Sequence, residues 1–132
     1  MVTIFTNGCY DILHIGHLKL LQYASSLGDR LIVALDSDDR VKASKGPNRP
    51  INTLLDRITM MQAIKGVSQV VSFNTDEELE TLMQLYDVDI LVIGNDYLNK
   101  KVIGSNVVKK VIYYEKFPGY STTQTIKSIA DR

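Results

Sequence analysis

Two histidines, His14 and His17, stand three residues apart, and the chain contains no others. That spacing places two side chains on one side of a helical turn, so both rings can face one ligand. An imidazole N–H donates to a phosphate oxygen and can stabilise charge that grows as a phosphoanhydride breaks. The pair ends the stretch Thr6-Asn7-Gly8-Cys9-Tyr10-Asp11-Ile12-Leu13-His14-Ile15-Gly16-His17. Gly8 and Gly16 let the backbone come close to a ligand. A helix starting near His17 offers unpaired N–H groups and a positive dipole end to an anion. Two alternatives stay open: surface histidines beside a turn, or a metal pair, although the sequence suggests no third ligand nearby.

Other residues join these as candidates. Lys45 lies in a polar loop with Gly46 and Pro47 and can reach phosphates, with Lys42 as a competitor and a solvated lysine as the plain reading. Arg49 contacts a phosphate, or only orders its loop. Arg57, early in a helix where the dipole disfavours a cation, implies a partner anion or a surface pair with Asp56 or another carboxylate. Asp11 orients the histidine loop or helps hold a cation. Asp36, Asp38 and Asp39 contact a polar ligand, or form a solvated turn, which is the favoured reading for Asp38 and Asp39. Cys9 reads as a small loop or core residue, since no basic partner for a nucleophilic thiol is evident. Lys100 and Lys101 read as solvated. Asp96 stabilises a turn or touches a ligand; Tyr97 stacks on a base or covers the core edge. Ser121 is a good N-cap, and with Gly119, Thr122 and Thr123 it forms a second anion cradle.

These residues must be held by a sheet. Val2–Phe5, Leu31–Leu35, Val70–Phe73, Ile90–Gly94 and Val111–Tyr114 are short, β-rich apolar runs. Helical periodicity fills the intervals: Leu18, Leu21, Tyr23, Ala24 and Leu27 with Gly28 as a stop, Leu54 to Ile64, Glu77 to Tyr86, and Ser121 to Ala130. Alternating strands and helices predict an α/β fold: one Rossmann-like domain over 1–132, a five-stranded parallel sheet with helices on both faces. Ligands in such sheets sit beyond the carboxyl ends of the strands. That selects Thr6 to Gly16, Asp36 to Arg49, Gly94 to Lys101 and Phe117 to Thr123.

The 132 residues carry 15 basic and 15 acidic side chains, a formal net charge of zero, which disfavours a nucleic-acid binder driven by a basic surface. An apolar share of 45% supports a buried core rather than disorder. The single cysteine excludes an intrachain disulfide. No apolar run reaches membrane-span length and no signal peptide is visible, so a cytoplasmic location is expected. No P-loop is present, against a kinase or ordinary ATPase.

The segment Asn7 to His17, with its His14-Ile15-Gly16-His17 core, resembles the signature of the cytidylyltransferase-like nucleotidyltransferases. The resemblance continues through Gly28-Asp29-Arg30-Leu31-Ile32-Val33-Ala34, through Lys45-Gly46-Pro47-Asn48-Arg49-Pro50-Ile51 with Asp56-Arg57, through Gly94-Asn95-Asp96-Tyr97, and through Gly119-Tyr120-Ser121-Thr122-Thr123. It implies an enzyme that moves a nucleoside monophosphate from ATP or CTP to a small sugar or polyol phosphate, releasing pyrophosphate. His14, His17 and Lys45 would be catalytic. Thr6, Asn7, Gly8, Cys9, Tyr10, Gly16, Asp96, Gly119, Ser121, Thr122 and Thr123 would bind nucleotide and phosphate. Asp11, Asp36, Arg49 and Arg57 would bind the acceptor. Mg²⁺ would be held by phosphates and waters rather than by a carboxylate cage. Some relatives carry an arginine before the last motif; here the nearest basic residue is Lys116, which weakens any bidentate phosphate role. A homodimer is implied, without nucleic-acid or membrane partners. The later motifs look most like the adenylyltransferase part of ADP-heptose synthesis, with ATP and a heptose 1-phosphate as substrates. Glycerol-3-phosphate cytidylyltransferase, using CTP, is the alternative; a nucleotide-binding module without turnover is the reading from another class.

Overall fold

A computed structural model describes residues 1–94, 101–115 and 122–131. The chain runs β1 (Thr3–Gly8), α1 (Ile15–Ser26), β2 (Arg30–Asp36), α2 (Asp38–Lys45), α3 (Leu54–Gln62), β3 (Gln69–Phe73), α4 (Asp76–Leu85), β4 (Ile90–Gly94), β5 (Lys110–Tyr114) and α5 (Thr122–Ala130). The strands form one sheet in the order β3-β2-β1-β4-β5, and every neighbouring pair is parallel. The predicted α/β class, with its five-stranded parallel sheet, is what the chain adopts.

The apolar runs explain the layering. Successive strand residues face opposite ways, so a strand buried on both sides sorts its side chains into two cores. Ile4, Leu31, Val33, Leu35 and Val92 pack with Leu21 and Ala24 of α1 and Met61 of α3. Phe5, Ile32, Ala34, Leu91 and Ile93 pack on the other face with Leu79 and Met83 of α4. The turn into β2 is tight: a Cβ on Gly28 would lie 2.7 Å from the Val2 carbonyl oxygen and 2.9 Å from Ile4. Gly28 therefore permits a close backbone approach, one residue beyond the α1 C-cap at Leu27.

Helix α2 stands where the sequence suggests a loop. Its ends are well signalled. Ser37 caps it through Arg40 N–H, Asp38 and Asp39 occupy the first turn, Lys42 and Lys45 the last, and Gly46 closes it at φ 104°. Its one buried side chain is Val41, so no apolar stripe betrays it. Asp38 and Asp39, read as a solvated turn, are its first turn.

The order β3-β2-β1-β4-β5 reverses direction between β1 and β4. A crevice opens outside the carboxyl ends of the strands at such a switch point, and the β1–α1 loop runs along it.

Candidate nucleotide and phosphate site

The β1–α1 loop ends at His14, the N-cap of α1. His14 Nδ1 accepts the His17 N–H at 3.4 Å, and His17 Nδ1 accepts the His14 N–H at 3.1 Å. This is a capping box made of imidazoles instead of a hydroxyl and a carboxylate. A ring nitrogen that accepts a backbone N–H carries no proton. The proton of each neutral ring therefore sits on Nε2, an assignment made by the hydrogen-bond pattern. The rings stack with centroids 3.7 Å apart and planes 21° apart. The spacing thus brings both imidazoles together at a helix start. Gly16 lies in the first turn of the same helix.

Beside them, at the carboxyl ends of β1, β2 and β4, lies a cavity of about 610 Å³. Thr6 to Tyr10 form one wall, α2 with Asp36, Arg40 and Lys45 a second, and Ile93, Gly94 and Lys101 to Ile103 a third. The histidine rings do not themselves line this cavity. Tyr10 connects the two: it lines the cavity, its ring centroid is 5.1 Å from that of His17, and its hydroxyl pairs with Thr6 Oγ1 at 3.4 Å. Gly8 serves this packing, since a Cβ there would lie 3.1 Å from the Tyr10 ring.

Among the described residues Arg40, Lys45 and Lys101 line the cavity, against the one carboxylate of Asp36. Burial pushes the Asp36 carboxyl above its ordinary range, opposed by Arg40, Lys45 and Arg57. Burial likewise pushes the Cys9 thiol up, opposed by Lys45 and Arg57. Lys45 therefore sits close enough to act on both cavity groups. Arg40 is already engaged, 3.0 Å from Asp36 and 2.7 Å from Asp76, with its guanidinium over the Phe73 ring. Sequence reasoning missed Arg40 and took Lys101 as solvated. The signal for Arg40 was the cap at Ser37, which places residue 40 one turn up a helix from Asp36.

Two residues expected at the acceptor are committed to the scaffold instead. Arg57 is a correction: its side chain is fully buried. Nε donates to Asn52 O, Nη1 to Cys9 O and Asp36 O, and Nη2 to Asp38 at 2.8 Å. It ties the ends of β1 and β2 to the loop before α3, and no surface remains to meet an acceptor. Asp11 is the second correction. Its buried carboxylate accepts from Ile51 N–H at 2.7 Å and Asn52 N–H at 2.9 Å, which supports the loop-orienting alternative. Arg49 reaches Asp11 at 3.6 Å, while its Nε and Nη2 are buried with no hydrogen-bond partner among the described residues. Thr122 is buried and Thr123 exposed at the start of α5. Asp96, Tyr97, Lys100, Lys116, Gly119 and Ser121 lie outside the described residues.

Residues 5–128 match the family model described as cytidylyltransferase-like. The chain belongs to that family. Its resemblance to cytidylyltransferase-like proteins extends to curated relatives named bifunctional protein HldE. The relative from Helicobacter hepaticus is 49% identical over 126 residues, covering 96% of this chain and 26% of the relative. The relative from Campylobacter jejuni (strain RM1221) is 46% identical over 129 residues, covering 98% and 28%. The chain thus spans about a quarter of the length of the curated relatives it matches. Among solved structures, a lipopolysaccharide core biosynthesis protein from Thermoplasma volcanium superposes with a TM-score of 0.72 at 24% identity, over 89% of this chain and 98% of that one. A pantoate-beta-alanine ligase from Francisella tularensis superposes at 0.57 with 16% identity, over 99% and 70%. These two likenesses concern the fold.

Among the described residues no group of three or more His, Cys, Asp or Glu side chains is placed to hold a metal. The cavity's carboxylate, Asp36, is already bound by Arg40. Such a donor set suits a cation that enters on a polyphosphate better than one caged by protein.

Proposed function

We propose that this domain is a nucleotidyltransferase that moves a nucleoside monophosphate from a nucleoside triphosphate to the phosphate of a small sugar, releasing pyrophosphate. The leading reading is adenylyl transfer from ATP to a heptose 1-phosphate. It is supported by membership of the cytidylyltransferase-like family and by the HldE relatives. The observation that carries it is the reciprocal His14–His17 cap, which turns both rings into Nε2 donors at one helix start.

The chemistry follows from the charges. An acceptor phosphate is already ionised near neutral pH, so no strong general base is required. One of its oxygens bonds to the α-phosphorus of the triphosphate. The bond to the bridging oxygen of the β-phosphate breaks, and pyrophosphate departs with that electron pair. The protein must bring two polyanions together and stabilise the bridging oxygen. His14 and His17 supply neutral donors to the phosphates. Lys45 supplies a mobile ammonium on the cavity wall, and Thr6 to Tyr10 enclose the nucleotide. The Nε and Nη2 atoms of Arg49 form one edge of its guanidinium, suited to an acceptor phosphate. Asp96, Gly119, Ser121 and Thr123 are assigned to the nucleotide on the sequence motifs. Mg²⁺ would screen the triphosphate, held by the phosphates and waters, and Asp36 faces the cavity on the acceptor's side of the reading.

A cytoplasmic homodimer working on cell-envelope precursors fits this reading. Among the described residues no helix is long and apolar enough to cross a membrane. The test is pyrophosphate release, screened across ATP and CTP with heptose 1-phosphate and glycerol 3-phosphate. Release with ATP and heptose 1-phosphate supports the assignment. Preference for CTP and glycerol 3-phosphate overturns the substrates, and tight nucleotide binding with no release in any combination overturns the activity.

A further inference from the structure

The loop that delivers the histidines is held in an unfavourable shape. Tyr10 and Ile12 both have φ of 51°. This is the left-handed region, disfavoured for residues with a Cβ and most of all for a β-branched one. Such conformations persist where the surroundings over-determine them. Here the residue between them, Asp11, is gripped from two sides. Its carboxylate takes the N–H groups of Ile51 and Asn52. Its carbonyl accepts the Thr122 hydroxyl at 2.5 Å, and the Ile12 carbonyl lies 3.3 Å from the same Oγ1. Thr122 is buried, 9% exposed, and comes from α5, more than a hundred residues along the chain.

A hydroxyl has one proton. Carbonyl oxygens only accept, so that proton is committed to the loop backbone. A phosphate oxygen is also an acceptor and would need the same proton. The Thr122 side chain therefore serves the loop rather than the triphosphate, against the expectation from the sequence. The strained Ile12 is two residues before His14, the helix N-cap. Its backbone direction sets where α1 begins and where both rings stand.

We infer that Thr122 is a positioning residue for the His14–His17 pair, acting through the Asp11 and Ile12 carbonyls. The inference rests on the nucleotidyl-transfer reading for its kinetic consequence, though not for its structural one. It makes the start of α5 and the histidine loop a single unit.

The experiment compares Thr122→Val, which keeps the shape and removes the donor, with Thr122→Ser, which keeps the donor. Long-range ¹H–¹⁵N spectra of the 132-residue chain read the imidazoles directly, because His14 and His17 are its only histidines. In the wild type without nucleotide both rings should show the Nε2–H pattern. Thr122→Val should shift at least one ring toward mixed tautomers, and Thr122→Ser should retain the wild-type pattern. With substrates, Thr122→Val should lower kcat by about tenfold or more, as misplacement of a catalytic group does, while the nucleotide KM stays within about twofold. Thr122→Ser should restore most of kcat. A raised nucleotide KM with unchanged kcat and unchanged spectra would mean that the hydroxyl binds phosphate, and would overturn the inference. A lowered melting temperature with unchanged spectra and kcat in the folded range would overturn it too. Should Thr122→Val fail to fold, Thr122→Ala gives the same readouts with less crowding of the carbonyls. If the wild type releases no pyrophosphate while the spectra respond as stated, the function proposed above fails and the positioning role stands.

Discussion

His14 and His17 each take the other's backbone N–H on Nδ1, and their rings stack 3.7 Å apart. One pair of side chains thereby starts a helix and presents two ring donors. The two tasks separate by mutation. Asparagine is a good N-cap, so His14→Asn should hold the denaturation midpoint near wild type. Turnover should nevertheless fall by about 100-fold or more, the scale of losing an oxyanion-type donor. His17→Ala should lose as much turnover, and about 1 kcal/mol of stability with its half of the box. Steady-state kinetics beside urea denaturation measures both. Near wild-type turnover in either folded variant would remove the histidines from the chemistry.

Arg57→Ala should destabilise the fold by about 3–5 kcal/mol, because it leaves Asp38 and three carbonyls without their buried donor. Arg57→Lys should recover little, since one ammonium cannot reproduce four bonds made by a planar fork. Chemical denaturation measures this. An unchanged midpoint with a raised acceptor KM would instead place Arg57 on the substrate.

Lys45→Ala and Lys101→Ala should both weaken nucleotide binding, since each removes a cation from a cavity whose described lining holds one carboxylate. Lys45→Ala should also lower kcat if its ammonium follows charge onto the leaving phosphates. Lys101→Ala should raise the nucleotide KM by about three- to tenfold with kcat nearly unchanged, the signature of uniform binding. Calorimetric titration of ATP into each variant provides a second measure.

Cys9 offers a pH-dependent probe. Burial raises its thiol pKa, so at a given pH less thiolate is present than on a free cysteine, and the thiolate is the nucleophile. Alkylation by iodoacetamide should be slow near neutral pH and rise only at more alkaline pH than for the urea-unfolded chain. Because Cys9 lines the cavity, ATP should slow it further. Mass spectrometry of timed samples reads both effects.

The sheet and most helices were legible because continuous apolar runs such as Leu31–Leu35 and Ile90–Gly94 advertise burial on both faces. The histidine pair was legible because three-residue spacing survives folding. Helix α2 was not, as it buries one side chain and its evidence lay in end signals rather than in periodicity. A carboxylate partner for Arg57 and a loop-orienting role for Asp11 were among the readings, but the burial of Arg57 and the backbone partners of both were not legible. Those partners lie 5 to 48 residues away in the chain, and backbone acceptors and donors leave no mark on sequence type. The hydroxyl of Thr122 was hidden for the same reason, since its acceptors are carbonyls of a strained loop.

Strand β1 pairs with β2 on one side and, at Ile4 and Phe5, with β4 on the other. During synthesis on the ribosome the second neighbour emerges only with residues 90 and 91. Until then a nascent chain carries its histidine loop on a strand with one naked edge, a surface that invites pairing between chains.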